Sequence, residues 1–502
     1  MQHPIGFGLA NASEDIQRRT AEKIVDTAFE QVRPALINAV QTFLATPINP
    51  TSFFALEMAL LSLTREFGRH LMQLTINVLD PDNPDLLPHD LWFQSGGYRR
   101  RNQKTRKSYV ATLFGTVTLW RHAYRSWEAF GGSIVPLEML LGLTEGATPA
   151  LVDWLGRKMA ESGANQARVL ELLRQERGVV MGVKRLRACI DQLSDAMCEL
   201  RETHQVDAIL DALQQASKSR GSRKPVLSVG RDGITLRQHK SGAFEVATAA
   251  TVSIYDRAGK RLTTIYLAWP PELGQATMDK MLTDLLHGVL ERWEGPLPRL
   301  AYVTDCGSNE HGYYERVLRW MLHPRTSKQL CWQRVVDYYH VSERIWDMAT
   351  ALFGKGTREG TAWAHRMLKA LKKPSGASRV LHSAASLYHR GKLSKSRTKD
   401  FWKAYRYIQK RTRFLRYDQY ASNHIPLGSG VTEAACKTIF TQRLKQSGMR
   451  WTFQGAKRIL NLRVILLSKT WSSTYAAHLV NLHPTELRPY GPKNTSQLQN
   501  AA

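Results

Sequence analysis

Apolar side chains recur at helical spacing in the first part of the chain. Ile24, Ala28, Val32, Leu36, Val40 and Leu44 fall on one face within residues 14 to 79, with Pro47 and Pro50 as breakers before a second helix over 53 to 79. Residues 1 to 88 therefore read as a helical region without visible chemistry, ending in a linker that carries Pro81, Pro84 and Pro88. The period then changes from 3.6 to two. Ser108 to Leu113 and Thr116 to Arg121 alternate on either side of Phe114-Gly115, which predicts a β-hairpin within residues 89 to 146. Residues 147 to 200 return to helical spacing. Gly163 to Leu173, a turn near Gly178 and Lys184 to Ile190 have the outline of a helix-turn-helix within 147 to 217, an outline that any pair of short helices shares.

The polar, basic stretch Lys218 to Pro225 is the clearest boundary, and the pattern changes again beyond it. Val226 to Gly233 reads as a buried strand ending in a carboxylate and a glycine. Two further strands, 244 to 255 and 261 to 268, are joined by the turn Asp256 to Lys260. An amphipathic helix over 275 to 294 follows. Leu300 to Gly307 is a second strand ending in a carboxylate, 309 to 322 a helix, and Trp332 to His340 a strand running into a helix. The order β-β-β-α-β-α-β predicts an α/β core with a mixed five-stranded sheet. Residues 225 to 340 form its first part, 341 to 424 a basic helical insertion, 425 to 482 the closing helices and 483 to 502 a polar tail. In this topology strands one and four are neighbours, so Asp232 and Asp305 face each other.

Ile425 to Gly430 is a loop rich in proline and glycine that gives way to helix formers, with Thr432 the expected N-cap and Glu433 in the first turn. Alone, each acid has an ordinary explanation: Asp-Gly after a strand is commonly a turn, and an acid at a helix start commonly offsets the dipole. Three acids at one sheet edge without Lys or Arg partners repel unless a cation lies between them. Oxygen ligands of this kind select Mg²⁺ or Mn²⁺, and two such ions suit phosphodiester chemistry.

Charge sharpens this picture. The 502 residues carry a formal +27 with a pI near 10.0, which calls for a polyanionic partner, nucleic acid before a membrane surface. No window is apolar enough to span a bilayer and the N-terminus lacks a signal-peptide pattern, so a cytoplasmic location is expected. The five cysteines are scattered without a C-x-x-C pair, which supports neither a zinc ribbon nor a disulfide framework and suggests reduced thiols. Tyr98 to Lys107 holds Arg99, Arg100, Arg101, Lys104, Arg106 and Lys107 with no acid: a solvated loop, or an arm on the DNA backbone. Between Arg390 and Arg416, eleven Lys or Arg face a single acid, Asp400, with Phe401, Trp402, Tyr405, Tyr407 and Phe414 interleaved. Such a mixture fits a nucleic-acid groove better than a merely solvated face.

Four blocks carry a family resemblance: Val229 to Gly233, Val303 to Gly307, Asp337 to His340, and Gly428 to Glu433 followed by Gly448 to Trp451. They resemble the catalytic blocks of bacterial insertion-sequence DDE transposases, the ISKra-like group, which is similar in layout to Mutator-type enzymes. The resemblance covers residues 225 to 470, and 98 to 125 more loosely. It implies a ribonuclease-H-like catalytic domain with a helical insertion before the final Glu. Asp232, Asp305 and Glu433 would hold two Mg²⁺ or Mn²⁺ ions, with Asp337 and His340 beside them in the catalytic group. Arg443, Lys445, Arg450 and Trp451 would contact double-stranded DNA, Trp451 by stacking on an unpaired base. Relatives often carry paired cysteines ahead of the hairpin; here Ser95-Gly96-Gly97-Tyr98 stands there, so a zinc-dependent end-binding module is not expected. The implied function is binding of terminal inverted repeats, end cleavage and strand transfer by a homodimer or larger assembly on nucleoid DNA. The alternatives are a DNA-binding repressor without catalysis and a ribonuclease-H-like nuclease without strand transfer.

Overall fold

The computed structural model describes residues 13–80, 98–100, 104–126, 133–237 and 244–482. The linker prolines, Arg101, Ser95 to Gly97 and the polar tail lie outside these. The chain forms two units. One comprises Met1–Met159, Ala164–Ala196 and Tyr475–Ala502, the other Ala160–Gly163 and Met197–Thr474.

In the first unit, α1 (Glu14–Leu44) and α2 (Pro50–Asn77) pair as a hairpin. Pro50 starts α2 rather than only breaking α1, because its missing N–H falls where a helix has no partner for one. Asn49 caps α2, its Oδ1 accepting from Thr51 N at 2.9 Å and Ser52 N at 3.0 Å. Phe53, Phe54 and Leu44 near the hairpin tip are exposed. Five short strands follow: β1 (Tyr98–Arg100), β2 (Arg106–Thr112), β3 (Gly115–Arg121), β4 (Tyr124–Ser126) and β5 (Ser133–Ile134). β2 and β3 form the expected hairpin, but Thr112 pairs with Gly115, so the turn is Leu113-Phe114, one residue early. Gly115 sits at φ +121°, a conformation other residues rarely adopt. Gln73 and Asn77 of α2 accept from Thr118 N at 2.8 Å and Trp120 N at 2.7 Å, which satisfies the open edge of β3.

Helices α3 (Pro136–Leu140), α4 (Pro149–Ala160), α5 (Gln166–Arg177) and α6 (Val183–Lys218) come next. Asn165 caps α5 and Gly178 ends it in the left-handed region, as the turn signal predicts. Helix, turn and helix stand where the outline placed them, but the second helix, α6, runs on to 36 residues. The division between the units falls inside it, at Ala196. Its C-terminal half contributes Val206, Ile209, Leu213 and Ala216 to the core of the second unit. Lys218 to Pro225 thus marks the end of a helix rather than the edge of a unit.

The second unit is built on β6 (Val226–Arg237), β7 (Phe244–Tyr255), β8 (Arg261–Trp269), β9 (Arg299–Thr304) and β10 (Trp332–Val336), a five-stranded sheet in the order β10-β9-β6-β7-β8. The β6–β7 and β7–β8 pairs are antiparallel; β6–β9 and β9–β10 are parallel. Residues along β6 alternate between the two faces, as the pleat requires. Leu227 and Val229 pack under α6, α7 (Ala276–Arg292) and α8 (Ser308–Arg316), whereas Val226 joins Ala301, Val303 and Val335 on the opposite face. That second face is covered by the insertion, whose helices α9 (Tyr338–Phe353), α10 (Arg358–Leu371), α11 (Gly376–Arg390), α12 (Lys395–Arg411) and α13 (Tyr417–Ser422) share its core. The remaining helices are α14 (Gly430–Cys436), α15 (Gln442–Leu444), α16 (Phe453–Leu467) and α17 (Trp471–Leu482).

The insertion corrects one expectation. Only some of its aromatic residues share a surface with the basic ones: Trp402 and Tyr407 are half-buried, with Arg406 5.7 Å over the Trp402 ring. Phe401 is fully buried, stacked on Tyr388 at 4.8 Å and on Tyr405 at 5.7 Å, and Phe414 is buried too. Lys403, Arg406 and Lys410 point outward. Phe401 and Phe414 are therefore core residues and cannot stack on bases. Tyr420 and Tyr417 donate to the carbonyls of Arg334 (2.9 Å) and Val336 (2.8 Å), which closes the free edge of β10. All five cysteines are free thiols, and among the described residues no helix is long and apolar enough to cross a membrane.

Because Phe401 ties α11 and α12 into the sheet core, Phe401→Ala is expected to destabilise the second unit by about 3–5 kcal/mol, as large-to-small core truncations do. Urea unfolding of the full chain checks this.

Candidate active site

β6 and β9 are in parallel register as far as Val229 opposite Tyr302. β9 ends at Thr304, but β6 continues to Arg237, paired with β7 throughout. Asp232 therefore lies inside a strand that overhangs its neighbour, not at the strand end expected from Asp-Gly. Asp305 occupies the equivalent position past the register, so both carboxylates emerge at one end of the sheet. The turn after Asp305 is held firmly. Cys306 adopts φ +66°; its N–H donates to Thr304 Oγ1 at 3.1 Å, and Arg411 Nη2 donates to its carbonyl at 3.1 Å. Tyr407 Oη donates to the Asp305 carbonyl at 2.8 Å, with the Arg411 guanidinium 3.9 Å over the Tyr407 ring. Two residues of the insertion thus fix the backbone that carries Asp305.

Glu433 reaches this end through α14. The helix begins at Gly430 with Ser429 as N-cap, three residues earlier than predicted, so Thr432 lies inside the first turn and is buried. Thr432 Oγ1 bonds Thr251 Oγ1 of β7 at 2.7 Å and sits against Gly230 of β6, where any Cβ would collide with it. A bare backbone in β6 is therefore what lets α14 lie on the sheet. One turn on, the buried Cys436 thiol hydrogen-bonds Asp232.

Asp337 ends β10 and caps α9. Its Oδ1 accepts from Tyr339 N at 2.5 Å and His340 N at 3.1 Å. Its Oδ2 accepts from the N–H of Ser429 and from Ser429 Oγ at 2.7 Å. Ser429 Oγ also lies 2.8 Å from Glu433 Oε1. One hydroxyl proton serves one carboxylate at a time, and Asp337 already has three backbone donors, so the proton is best spent on Glu433. Fully buried and fully bonded, Asp337 positions its neighbours rather than facing substrate. His340 is part-exposed, with Nδ1 3.3 Å from Glu343 and Nε2 3.8 Å from Glu433.

A fourth acid, to which sequence reasoning assigned no role, completes the group. Glu310 sits in the first turn of α8 and is buried, its carboxylate packed where a side chain on Gly307 would lie. The available signal was its place one turn into the helix that follows Asp305, a position that usually signifies only dipole compensation. Burial pushes the Glu310 carboxyl above the usual range; the charges of Asp305 and Asp232 push the same way, Arg231 the other. Asp232 is also raised, first by burial and then by Asp305 and Glu433, against hydrogen bonds from Cys436 and Gly233 N. Burial and the Asp232 charge push the Cys436 thiol up as well. Four carboxylates thus share one field, and among the described residues no Lys or Arg ion-pairs with any of them.

This donor set is hard and oxygen-rich, the chemistry that Mg²⁺ or Mn²⁺ prefers, and its mutual repulsion is what a divalent cation relieves. The fit is one of chemistry, not of spacing: among the described residues no three His, Cys, Asp or Glu side chains stand close enough to hold an ion. The expected DNA contacts divide. Lys104, Arg106 and Lys107 are exposed on or beside β2, and Lys107 Nζ lies 4.9 Å over the Tyr109 ring. The backbones of Arg99 and Arg100 lie in β1, while their side chains lie outside the described structure. Lys445 and Arg450 are exposed and, with Trp451, line a cleft of about 420 Å³. Trp451 is half-buried, its Nε1 donating to the Leu444 carbonyl at 2.9 Å. Arg443 corrects the expectation: it is 1% exposed, 5.2 Å under the Trp451 ring, a buried support for the cleft rather than a surface contact.

No known family model matches this chain, and no curated protein is significantly similar to it.

Glu310 gives a prediction with a definite sign. A carboxyl raised in the folded state contributes stability that is complete at low pH and lost as pH rises through the folded value. Glu310→Gln is therefore expected to raise the Tm of the metal-free protein at pH near 8, with the gain shrinking towards pH 4, close to the ordinary glutamate value. Thermal melts across that range check it.

Proposed function

We propose that the protein is a metal-dependent DNA transposase of the DDE type, with a ribonuclease-H-like catalytic core. The observation that carries this reading is that Asp305 and Glu433, remote in sequence, both act electrostatically on Asp232 at the end of the β6–β9 register, with no Lys or Arg ion-paired to any of the three among the described residues. The sheet order and the insertion ahead of Glu433 support it, as does the +27 charge. It rests on the site and on the motif resemblance.

In this reading Asp232, Asp305 and Glu433 hold two ions, with Glu310 adding negative charge behind them. Bound Mg²⁺ or Mn²⁺ supplies Lewis-acid charge at the scissile phosphodiester. The chain's own residues do the positioning. Tyr407 and Arg411 fix the Asp305 turn, Thr432 seats the Glu433 helix, and Ser429, anchored by Asp337, orients the Glu433 carboxylate. His340 Nε2 faces the same carboxylate and is placed to restrain it. Arg99, Arg100, Arg101, Lys104, Arg106 and Lys107 would track the backbone of the element ends, and Lys445, Arg450 and Trp451 the strand beside the site. Joining two ends calls for a homodimer or larger assembly, working on nucleoid DNA in the cytoplasm.

The test is cleavage and joining of a labelled duplex carrying the inverted repeats that flank the gene, with Mg²⁺ or Mn²⁺. The wild type is expected to give joined product and Asp305→Asn none, with duplex binding retained in both. Binding without cleavage by either protein favours the repressor, and cleavage without joining the nuclease.

A further inference from the structure

Two of the buried arginines of the second unit, Arg231 and Arg334, lie against tyrosine rings and differ in one respect. Arg231, 1% exposed, lies 4.9 Å from the Tyr313 ring and is answered by Asp279 at 2.5 Å and Gln275 at 2.9 Å. Arg334, 2% exposed on the edge strand β10, lies among the rings of Tyr302 (4.7 Å), Tyr314 (5.3 Å) and Phe414 (6.0 Å), but among the described residues no acid ion-pairs with it. Its Nη2 donates to Thr304 Oγ1 at 3.1 Å, while Nε and Nη1 have no partner among the described residues. Aromatic faces attract a guanidinium but do not accept its in-plane N–H bonds, and an unanswered buried charge is costly.

Arg334 lines a cleft of about 480 Å³ with Arg319, Arg413 and Arg416. One acid lines it, Glu315, which pairs with Arg319 at 2.7 Å and Arg413 at 2.8 Å. Four guanidinium groups against one carboxylate leave the cleft strongly positive. The neighbouring His311 registers that field: burial first, then Arg334 and Arg413 among its charged neighbours, holds its imidazole below the usual range, with Glu315 opposing. The geometry points to an anion site in this cleft that takes a phosphate group, bound at Arg334 from inside and by Arg413 and Arg416 from the rim. Guanidinium forks match phosphate oxygens, and Arg334 brings two unused donors. Through Thr304, Arg334 also touches the strand end that carries Asp305, so a phosphate bound here would lie on the flank of the candidate active site. The inference stands on the cleft alone and does not depend on the catalytic reading.

The phosphate has two possible sources, a DNA phosphodiester and a free phosphate compound, and one pair of experiments separates them. Inorganic phosphate, titrated at constant ionic strength against chloride, is expected to raise the Tm of the full chain. The rise should be lost in Arg413→Gln/Arg416→Gln, which leaves the buried Arg334 and the core intact. Binding of a 30-base-pair duplex is then measured against salt. If the phosphate belongs to DNA, the double variant's log–log salt slope falls by about one; if the ligand is a free phosphate compound, the slope is unchanged. No phosphate-specific rise in the wild type, or the same rise in both proteins, would overturn the site.

Discussion

The contact on which the rest of the second unit depends is the seating of Thr432 on the bare backbone at Gly230. Helix α14 runs on through a π-helical turn at Lys437–Thr441 into α15, and Thr432 seats its first turn. It lies on the sheet because β6 offers no side chain there and because Thr251 of β7 bonds the threonine hydroxyl. From that contact follow the approach of Glu433 to Asp232 and the Cys436 hydrogen bond. The clasp through Ser429 to Asp337 fixes the start of the same helix. Ser429 Oγ and His340 Nε2 both lie against the Glu433 carboxylate, so its side chain is held as well as its helix.

Burial raises the cost of this arrangement. Carboxylates gathered in a partly buried pocket repel each other, and the upward shifts of Asp232 and Glu310 record that cost. The fold sustains it because the surrounding backbone is over-determined. The insertion pins the left-handed Cys306, the parallel register of β6 and β9 fixes where the aspartates emerge, and Asp337 accepts from three backbone N–H groups. A site that is unfavourable without a ligand and rigidly supported is one that binding energy can complete.

Much of the second unit was legible in the sequence, because period-two runs and turn residues report strands directly. The order of strands, the neighbouring of Asp232 and Asp305 and the first-turn place of Glu433 could all be read from it. Other features could not. Thr432 looks like a cap but serves as a packing group, because Ser429 takes the cap position and only the tertiary contact with Gly230 shows why. Arg443 belongs to a basic stretch yet is buried, and Phe401 sits among lysines yet forms core; a charge count does not register which face a helix buries. The 36-residue α6 runs far past Ile190 because nothing in its sequence signals an end there. Glu310 was invisible for a different reason: an acid in a first helical turn is too common to mean anything until its burial is known.

The central claim is that these carboxylates form a site for divalent cations. Titration of Mn²⁺ into the full chain, followed by electron paramagnetic resonance of the free ion, tests it without reference to any DNA. The account predicts saturable binding of up to about two ions per chain, as the two-ion chemistry requires. It also predicts marked weakening in Asp232→Asn and in Glu433→Gln. Mn²⁺ binding that never saturates, or that is the same in both variants as in the wild type, would contradict it.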